Sequence, residues 1–286
     1  MEKLGVIGGS GLYEIEDLED VREVPVETPF GPPSDALVCG RLGETNLVFL
    51  PRHGRGHRLL PSELPFRANI YALKTLGVDA VLAISAVGSM REDIAPGDLV
   101  VIDQFIDRTR HRPDTFFGEG IVGHVHFADP ICGVLASMVA EAARTTGARV
   151  HEGGTYLCME GPQFSTRAES ILYRSFGVAV IGMTNLQEAK LAREAGMSYS
   201  TLALATDYDC WHEDEEDVSV EGVLEVLRRN VATAKKVVRA LAARIPGSPP
   251  TPFADILENA ILTDPEAVPL ETRRRLAAIL PERFRP

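Results

Sequence analysis

The sequence predicts an α/β fold: a single domain built on a central, mostly parallel and partly mixed twisted sheet that is flanked by helices. Two observations predict this fold. Short runs of Val, Leu, Ile and Ala recur along the chain, as in strands that are buried on both faces of a sheet. Stretches with helix start and stop signals separate these runs, and such alternation is typical of a parallel sheet covered by helices.

The strands and helices follow from composition and from capping signals. The predicted strands are residues 4–7, 36–39, 47–50, 80–84, 99–102, 155–158, 178–181 and 201–205. An acceptor before proline, or a Thr followed three residues later by Glu or Gln, is typical of a helix start. The predicted starts are Asp129-Pro130, Thr166-x-x-Glu169, Thr184-x-x-Gln187 and Ser219, and the predicted stops are Gly147, Gly177 and Gly196.

Length and composition fit one large domain with a C-terminal extension. The chain has 286 residues, of which 45% are hydrophobic and 24% are charged, so it can bury a sizeable core. Prolines and glycine after residue 244 predict a linker, because proline cannot continue a helix. We therefore predict a main domain over residues 1–244 and a Pro-rich linker with a helical tail over residues 245–286, with one helix near residues 265–279.

Charge and cysteine content exclude several classes of function. The formal net charge is −12, which argues against a nucleic-acid-binding protein, since such proteins need a basic face. No apolar run is long enough to cross a membrane, and we expect no secretory leader. The scattered cysteines form no C-x-x-C pair, so we expect reduced thiols in the cytoplasm and no zinc site. The cysteines are Cys39, Cys132, Cys158 and Cys210.

Small, hydroxyl-bearing and charged residues follow five of the predicted strands. Ligands of open α/β sheets bind at the carboxyl ends of the strands, so these segments predict one shared site. Taken singly, each of them is equally consistent with a tight turn, a helix cap or a surface ion pair. The segments are Gly8-Gly9-Ser10-Gly11, Pro51-Arg52-His53-Gly54, Ser85-Ala86-Val87-Gly88-Ser89, Gly182-Met183-Thr184-Asn185 and Thr206-Asp207-Tyr208-Asp209.

Four of these segments suit an oxyanion such as phosphate. Glycines let backbone N–H groups approach closely, and Ser10, Ser85 and Thr184 add hydroxyl donors. Arg52 can hold two oxygens with its planar guanidinium group, and His53 adds a further donor. The glycine pattern matches neither the dinucleotide-binding fingerprint nor the Walker motif, so the sequence predicts a different kind of phosphate site.

Asp207 and Asp209 favour a neutral, hydrogen-bonding ligand. Two carboxylates beside an anion site would repel the anion, so their role is better explained by a ligand with donors and acceptors, such as a purine. A protonated carboxyl group donates to a ring nitrogen, and a carboxylate accepts from an amine. A helix cap and a metal ligand stay open as alternatives, although no third ligand follows at a suitable spacing.

Seven segments resemble the trimeric branch of the purine nucleoside phosphorylase family, and in particular its members that act on S-methyl-5′-thioadenosine. The segments are VIGGSGL (6–12), TPFG (28–31), PSDA (33–36), RHG (52–54), DLVVIDQFIDRT (98–109), EGPQFS (160–165) and ATDYDCW (205–211). The resemblance covers residues 3–245. It implies that inorganic phosphate is a co-substrate, which attacks C1′ of the nucleoside and releases adenine. It also implies that no metal or organic cofactor is used and that the protein is a homotrimer.

The resemblance also implies a role for each residue. Ser10, Arg52, His53, Ser85, Ala86 and Thr184 would bind phosphate, and Phe164, Met183, Asp207, Tyr208 and Asp209 would bind the nucleoside. Hydrogen bonding or protonation at N7 stabilises the departing purine, which makes Asp207 and Asp209 the catalytic residues, with the split between them open.

Further residues bear on specificity and assembly. The 6-oxopurine phosphorylases of this fold have Glu and Asn where Ser165 and Asp207 stand, so an inosine or guanosine phosphorylase is the alternative. The resemblance places Val220 against the methylthio group, with a plain helix core as the other reading. His124 and the tail near Leu280 would reach into the neighbouring subunit's pocket. Gln187 stands where many members have proline.

Overall fold

The structure is a computed structural model that describes residues 1–9, 11–212 and 220–286, without the side chains of residues 220–225 and 227–229. The strands are β1 (Lys3–Gly8), β2 (Glu19–Val24), β3 (Leu37–Leu42), β4 (Thr45–Pro51), β5 (Ala80–Ser89), β6 (Leu99–Val101), β7 (Gln104–Arg108), β8 (Val150–Glu152), β9 (Thr155–Met159), β10 (Val180–Gly182) and β11 (Ser198–Asp207). The helices are α1 (Phe66–Thr75), α2 (Gly133–Arg144), α3 (Arg167–Ser175), α4 (Asn185–Glu194), α5 (Val220–Ala242) and α6 (Leu270–Arg275). Short 3-10 helices lie at Pro61–Glu63, Ile256–Glu258, Pro265–Ala267 and Glu282–Phe284.

The strands of the described residues form one mixed sheet in which most pairs are parallel. One path through the sheet runs β2-β3-β4-β1-β5-β10-β9-β7, and β11 joins β5 to β6, which in turn pairs with β8. The pairs β2–β3, β3–β4, β5–β10 and β6–β11 are antiparallel, and the others are parallel. This arrangement confirms the predicted fold class.

The eight predicted strands are present, and β5 and β11 exceed their predicted lengths by the most. β5 extends to Ser89 and β11 to Asp207, because their ladder continues through small residues of both strands. β2, β7 and β8 were not predicted. Their sequences, EDVREV, QFIDR and VHE, are too polar to form apolar runs, and β2 is a largely exposed edge strand.

The sheet separates two large apolar clusters of the described residues. Successive residues of a strand point to opposite faces, and in β1 the side chain of Val6 packs into one cluster while that of Ile7 packs into the other. Helices α2 and α5 cover the Val6 face, and α1 and α4 cover the Ile7 face. The residues after 250 add buried side chains to the Ile7 face, so the tail packs against the main domain. These side chains are Leu257, Ala260, Ile261, Val268, Leu276, Ile279, Leu280 and Phe284.

The helix start predicted at Asp129 is wrong, and the start predicted at Thr184 is confirmed without its capping box. Helix α2 begins at Gly133, with Cys132 rather than Asp129 as N-cap, because the Asp129 carbonyl accepts a hydrogen bond from Arg193 of α4. At α4, Thr184 is the N-cap residue but makes no capping hydrogen bond, and Gln187 faces another segment. The Thr166 capping box is confirmed, whereas Ser219 lies outside the described residues.

The predicted tail helix is also shorter than expected. Residues 265–279 hold a 3-10 turn and the six-residue helix α6 instead of one continuous helix. Pro269 stands between the two as the N-cap residue of α6 and keeps an extended conformation, which separates them. In the part of the chain that the structure describes, no helix has the length and apolarity needed to span a bilayer.

Candidate active site

A cavity of about 470 Å³ opens where β5 and its neighbours β1, β10 and β11 end. Strands β4, β1, β5 and β11 run parallel, so the segments that follow or end them meet at one edge of the sheet. Strand β10 runs antiparallel to the last residues of β5 and leads into α4 at the same place. Nine predicted site residues line the cavity: Arg52, His53, Ser85, Ala86, Phe164, Met183, Thr184, Asp207 and Asp209.

Arg52 is buried beneath the cavity and is held on several sides. Its Nε and Nη2 donate to Glu188 of α4 at 2.6 and 3.1 Å, and its Nη1 donates to the Ile84 carbonyl at 2.7 Å. The nearby carboxylate of Glu188 raises the pKa of Arg52 against the opposing effect of burial. The planar edge that the sequence analysis assigned to two phosphate oxygens is therefore occupied by a carboxylate of the same chain.

His53 is neutral and has a defined tautomer. Its Nδ1 lies 2.8 Å from the Leu59 carbonyl, and because a carbonyl only accepts, this nitrogen carries the hydrogen. Burial lowers the pKa of His53 to about 4. Its ring stacks on His57 at 4.3 Å, and His57, which was not predicted, also lines the cavity.

Ser85 and Thr184 place hydroxyl groups at the cavity from β5 and from the start of α4. The Ser85 hydroxyl makes a hydrogen bond of 3.1 Å to the Ala86 carbonyl, and the Thr184 hydroxyl donates to the side chain of Asn185 at 3.0 Å. Both residues are nearly buried, at 8% and 4% exposure. The first N–H groups of α4 lie next to Thr184, and a helix start favours a bound anion.

A β-bulge positions Asp207 and Asp209. The ladder between β5 and β11 shifts register between Ala205 and Asp207, so that Asp207 lies opposite Gly88. The Asp209 backbone N–H donates to Asp207 at 2.8 Å, and Thr206 donates its hydroxyl hydrogen to Asp207 at 2.7 Å. A side chain at Gly88 would lie 3.0 Å from the Asp207 carboxyl, so this glycine provides the space that Asp207 occupies.

Both carboxyl groups are shifted toward their protonated forms. Burial raises the pKa of Asp207 and of Asp209, while the hydrogen bonds from Thr206 and from Ser170 act in the opposite direction. Asp209 has a φ of 53°, in the left-handed region that aspartate tolerates better than most residues. This pair of buried acids can therefore present both a donor and an acceptor to a ligand.

Comparisons with known proteins agree on one family. A sequence profile of the phosphorylase superfamily matches residues 3–243. The chain is 59% identical to the S-methyl-5′-thioadenosine phosphorylase of Geobacter sulfurreducens over 97% of each chain, and 58% identical to that of Gloeobacter violaceus over 97% of this chain and 95% of the relative. This chain belongs to the S-methyl-5′-thioadenosine phosphorylase family.

Solved structures of the family have the same fold. A methylthioadenosine phosphorylase from an antarctic soil metagenomic library superimposes with a TM-score of 0.94, at 48% identity over 98% of this chain and 99% of that chain. The methylthioadenosine phosphorylase of Schistosoma mansoni in complex with adenine gives a TM-score of 0.81, at 38% identity over 87% and 93%. Membership of the family, which the sequence resemblance indicated, is confirmed.

Three residues for which the family resemblance implied a role lie outside this cavity. Tyr208 packs against Trp211 and His212 and does not line the cavity. Its neighbours in sequence, Asp207 and Asp209, both line the cavity. Ser165 lies beside Met159 and Asp209, so it can act on a ligand through Asp209. His124 lines a separate, more open cavity of about 510 Å³.

Leu280 itself is buried, and two other predicted residues lie outside the description. Leu280 is 1% exposed within its own chain and packs in the core near α1, so its side chain makes no contact with a neighbouring subunit; that the tail near it reaches such a subunit stays a prediction. Ser10 and the side chain of Val220 are not among the described residues. Val231, later in α5, lines the cavity. Among the residues that are described, no three His, Cys, Asp or Glu side chains are grouped as metal ligands.

Arg112 is a buried residue at the site that the sequence analysis missed. It donates to the Met183 carbonyl at 2.6 Å, to the Glu160 carboxylate at 3.0 Å and to Gln187 at 3.3 Å. It thereby connects the end of β9 with the segment between β10 and α4. Gln187, at the position where many family members have proline, takes part in this arrangement and also donates to Thr109 at 2.8 Å.

Proposed function

We propose that this protein catalyses phosphorolysis of S-methyl-5′-thioadenosine by inorganic phosphate, yielding adenine and 5-methylthio-α-D-ribose 1-phosphate. The observation that carries the proposal is the meeting, in one cavity, of Arg52, Thr184 and the buried acid Asp207. A relative named S-methyl-5′-thioadenosine phosphorylase, 59% identical over nearly the whole chain, supports the choice of substrate. The reaction serves purine and methionine salvage.

The phosphate lies between the start of α4 and the ends of β1, β4 and β5. Backbone N–H groups and the remaining N–H of Arg52 donate to its oxygens, and the hydroxyl groups of Ser85 and Thr184 turn from their acceptors within the chain to donate as well. Because Arg52 is already paired with Glu188, the site binds an anion mainly through dipoles rather than through net positive charge. Ser10 and His53 contribute to the same subsite.

The nucleoside lies between the phosphate and the two aspartates. Met183 contacts the ribose, and Phe164, which is 44% exposed in the free chain, lies over the sugar and the base. Asp207 and Asp209 bind N7 and the exocyclic amine of adenine. Ser165 acts on the purine through Asp209.

The reaction forms a bond from C1′ to a phosphate oxygen and breaks the bond from C1′ to N9. The electron pair of the broken bond stays on the purine, and the sugar becomes cationic in the transition state. Bound phosphate stabilises this cation, and the proton or hydrogen bond that Asp207 supplies at N7 stabilises the departing base. The raised pKa of Asp207 favours this role, since the acid keeps its proton more readily than an exposed aspartate.

We also propose that the protein acts as a cytoplasmic homotrimer without a metal or organic cofactor. Cys39, Cys132 and Cys158 have free thiols in the structure, in keeping with a reducing compartment. In the trimer, His124 reaches the pocket of the neighbouring subunit. Sedimentation analysis and activity after exhaustive chelation test the trimer and the cofactor proposal separately.

The decisive experiment measures adenine release from methylthioadenosine with and without phosphate, with inosine as the competing substrate. We expect release that depends on phosphate, and a large preference for methylthioadenosine. Release at the same rate in phosphate-free buffer would identify a hydrolase instead. A preference for inosine would identify the 6-oxopurine phosphorylase that the sequence analysis left as the alternative.

A further inference from the structure

A buried polar network connects two cavity residues, Arg52 and Thr184, that lie 132 positions apart in the sequence. At one end, Arg52 and Glu188 form an ion pair whose side chains are only 4% and 2% exposed. At the other end, the Thr184 hydroxyl donates to Asn185 at 3.0 Å, and Asn185 donates to Thr201 at 3.0 Å. Neither Glu188 nor Asn185 lines the cavity, so the network lies behind it.

Tyr199 joins the two ends of this network. Its hydroxyl oxygen lies 3.0 Å from Glu188 Oε2 and 3.2 Å from the Asn185 carbonyl, and its single hydrogen is donated to one of these two acceptors at a time. Thr201 in turn approaches the same hydroxyl at 3.5 Å. Tyr199 is 2% exposed, so these contacts form without competition from bulk water.

The contacts of Arg52 leave little freedom to its guanidinium group. The described residues supply acceptors for four of its five N–H groups: the two Glu188 oxygens, the Ile84 carbonyl and, at 3.5 Å, the Ile7 carbonyl. The remaining N–H is on Nη1, and Arg52 lines the cavity. The direction of that group is set by the bidentate contact on the opposite edge of the guanidinium plane.

We propose that Glu188, oriented by Tyr199, is a positioning residue that fixes Arg52 for binding of the phosphate co-substrate. This inference rests on the proposed function, because it assigns the ligand of Arg52. Glu188 also neutralises a buried charge that would otherwise be costly. Without Glu188 the guanidinium group would turn toward other acceptors, and the phosphate would lose a donor that is in place before it binds.

Tyr199→Phe is the main test, since it removes one hydroxyl group and keeps both charges and the aromatic ring. We expect phosphate affinity, measured by calorimetry without nucleoside, to fall roughly ten- to a hundredfold, the effect of one hydrogen bond to a charged group. KM for phosphate should rise by the same factor, while KM for methylthioadenosine stays within about twofold.

The matched control is Tyr71→Phe. Tyr71 is also a buried tyrosine whose hydroxyl has a partner, since it accepts from the Ala278 N–H at 3.3 Å, but it does not touch the network. This variant should bind phosphate as the wild-type protein does. Glu188→Gln, which removes the charge of the acid itself, should change phosphate affinity in the same direction as Tyr199→Phe and by more.

Equal phosphate affinity in the wild-type and Tyr199→Phe proteins would overturn the inference. A parallel rise of both KM values would also overturn it, because that result indicates a general structural defect. The same holds if the wild-type protein does not bind phosphate. A wild-type protein that binds phosphate but releases no adenine contradicts the proposed function alone, and the comparison of affinities then still decides this inference.

Discussion

Asp207 shows how burial favours the protonated form of a side chain in the candidate site. Burial raises its pKa, whereas the N–H of Asp209 and the hydroxyl of Thr206 stabilise its charged form. The net effect is a pKa above that of an ordinary aspartate, which favours transfer of a proton to a leaving group. An asparagine of the same shape would have two amide hydrogens for hydrogen bonding but no acidic proton to transfer.

We therefore expect Asp207→Asn to lower kcat/KM for methylthioadenosine by roughly 10²- to 10⁴-fold, the usual contribution of a general acid. The amide can donate to a 6-oxo group, so the ratio of inosine to methylthioadenosine activity should rise. Both values of kcat/KM should be measured in parallel. Asp93→Asn is the control, since Asp93 is an exposed residue paired with Arg91. An unchanged ratio in Asp207→Asn would contradict the role of Asp207 in purine choice.

At the scale of the elements, Arg112 holds together two segments that line the cavity. It is 8% exposed and contacts the end of β9 through Glu160 and the segment before α4 through Met183. Met159 and Met183, which belong to these two segments, both line the cavity. Their relative position thus depends on a guanidinium group that no part of the substrate needs to touch.

Arg112→Lys should raise KM for methylthioadenosine by roughly tenfold or more and leave KM for phosphate within about twofold, because an ammonium group cannot reach all these acceptors in one plane. Steady-state kinetics with each substrate varied in turn provide the measurement. Arg193→Lys is the matched control, since Arg193 is also buried and donates to two carbonyl groups, at His126 and Asp129. A similar rise in both variants would contradict a specific role of Arg112.

The strand ends of the site were predictable from the sequence, and the contacts behind them were not. Glycine, hydroxyl and charged residues follow apolar strands, and the topology of parallel sheets brings such segments together. Arg112 and Glu160 are far apart in sequence, as are Arg52 and Glu188, and no local pattern relates them. The capping box proposed at Thr184 is absent partly for the same reason: Gln187 donates to the distant Thr109, while the Thr184 hydroxyl donates to its neighbour Asn185.

At the scale of the whole molecule, the C-terminal residues and the loop before α2 complete the core on the Ile7 face of the sheet. Phe116 is fully buried there and belongs to the same apolar cluster as Val268 and Phe284. The loop is attached through Glu194, at the end of α4. Glu194 accepts from the Phe116 N–H at 2.6 Å and from the Thr115 hydroxyl at 2.7 Å.

Glu194 makes the free energy of unfolding depend on pH. Burial raises its pKa from 4.5 to about 7, so between these values the folded protein binds more protons than the unfolded chain. The corresponding stabilisation is fully present below pH 4.5 and is lost as pH rises through 7. The shift corresponds to roughly 3 kcal/mol at most, since one pKa unit is about 1.4 kcal/mol.

Between pH 5 and 8, we expect the urea midpoint of unfolding to decline less in Glu194→Gln than in the wild-type protein. The difference in decline should correspond to roughly 1–3 kcal/mol. The glutamine stays neutral throughout, so this contribution to the slope disappears, while the titration of Asp207, Asp209 and His53 is common to both proteins. Protein concentration must be kept constant, because subunit association would add to stability. Glu141→Gln, on the exposed side of α2, is the control and should give a curve parallel to the wild type. A Glu194→Gln curve that is also parallel to the wild type would mean that Glu194 is ionised in the folded protein across this range.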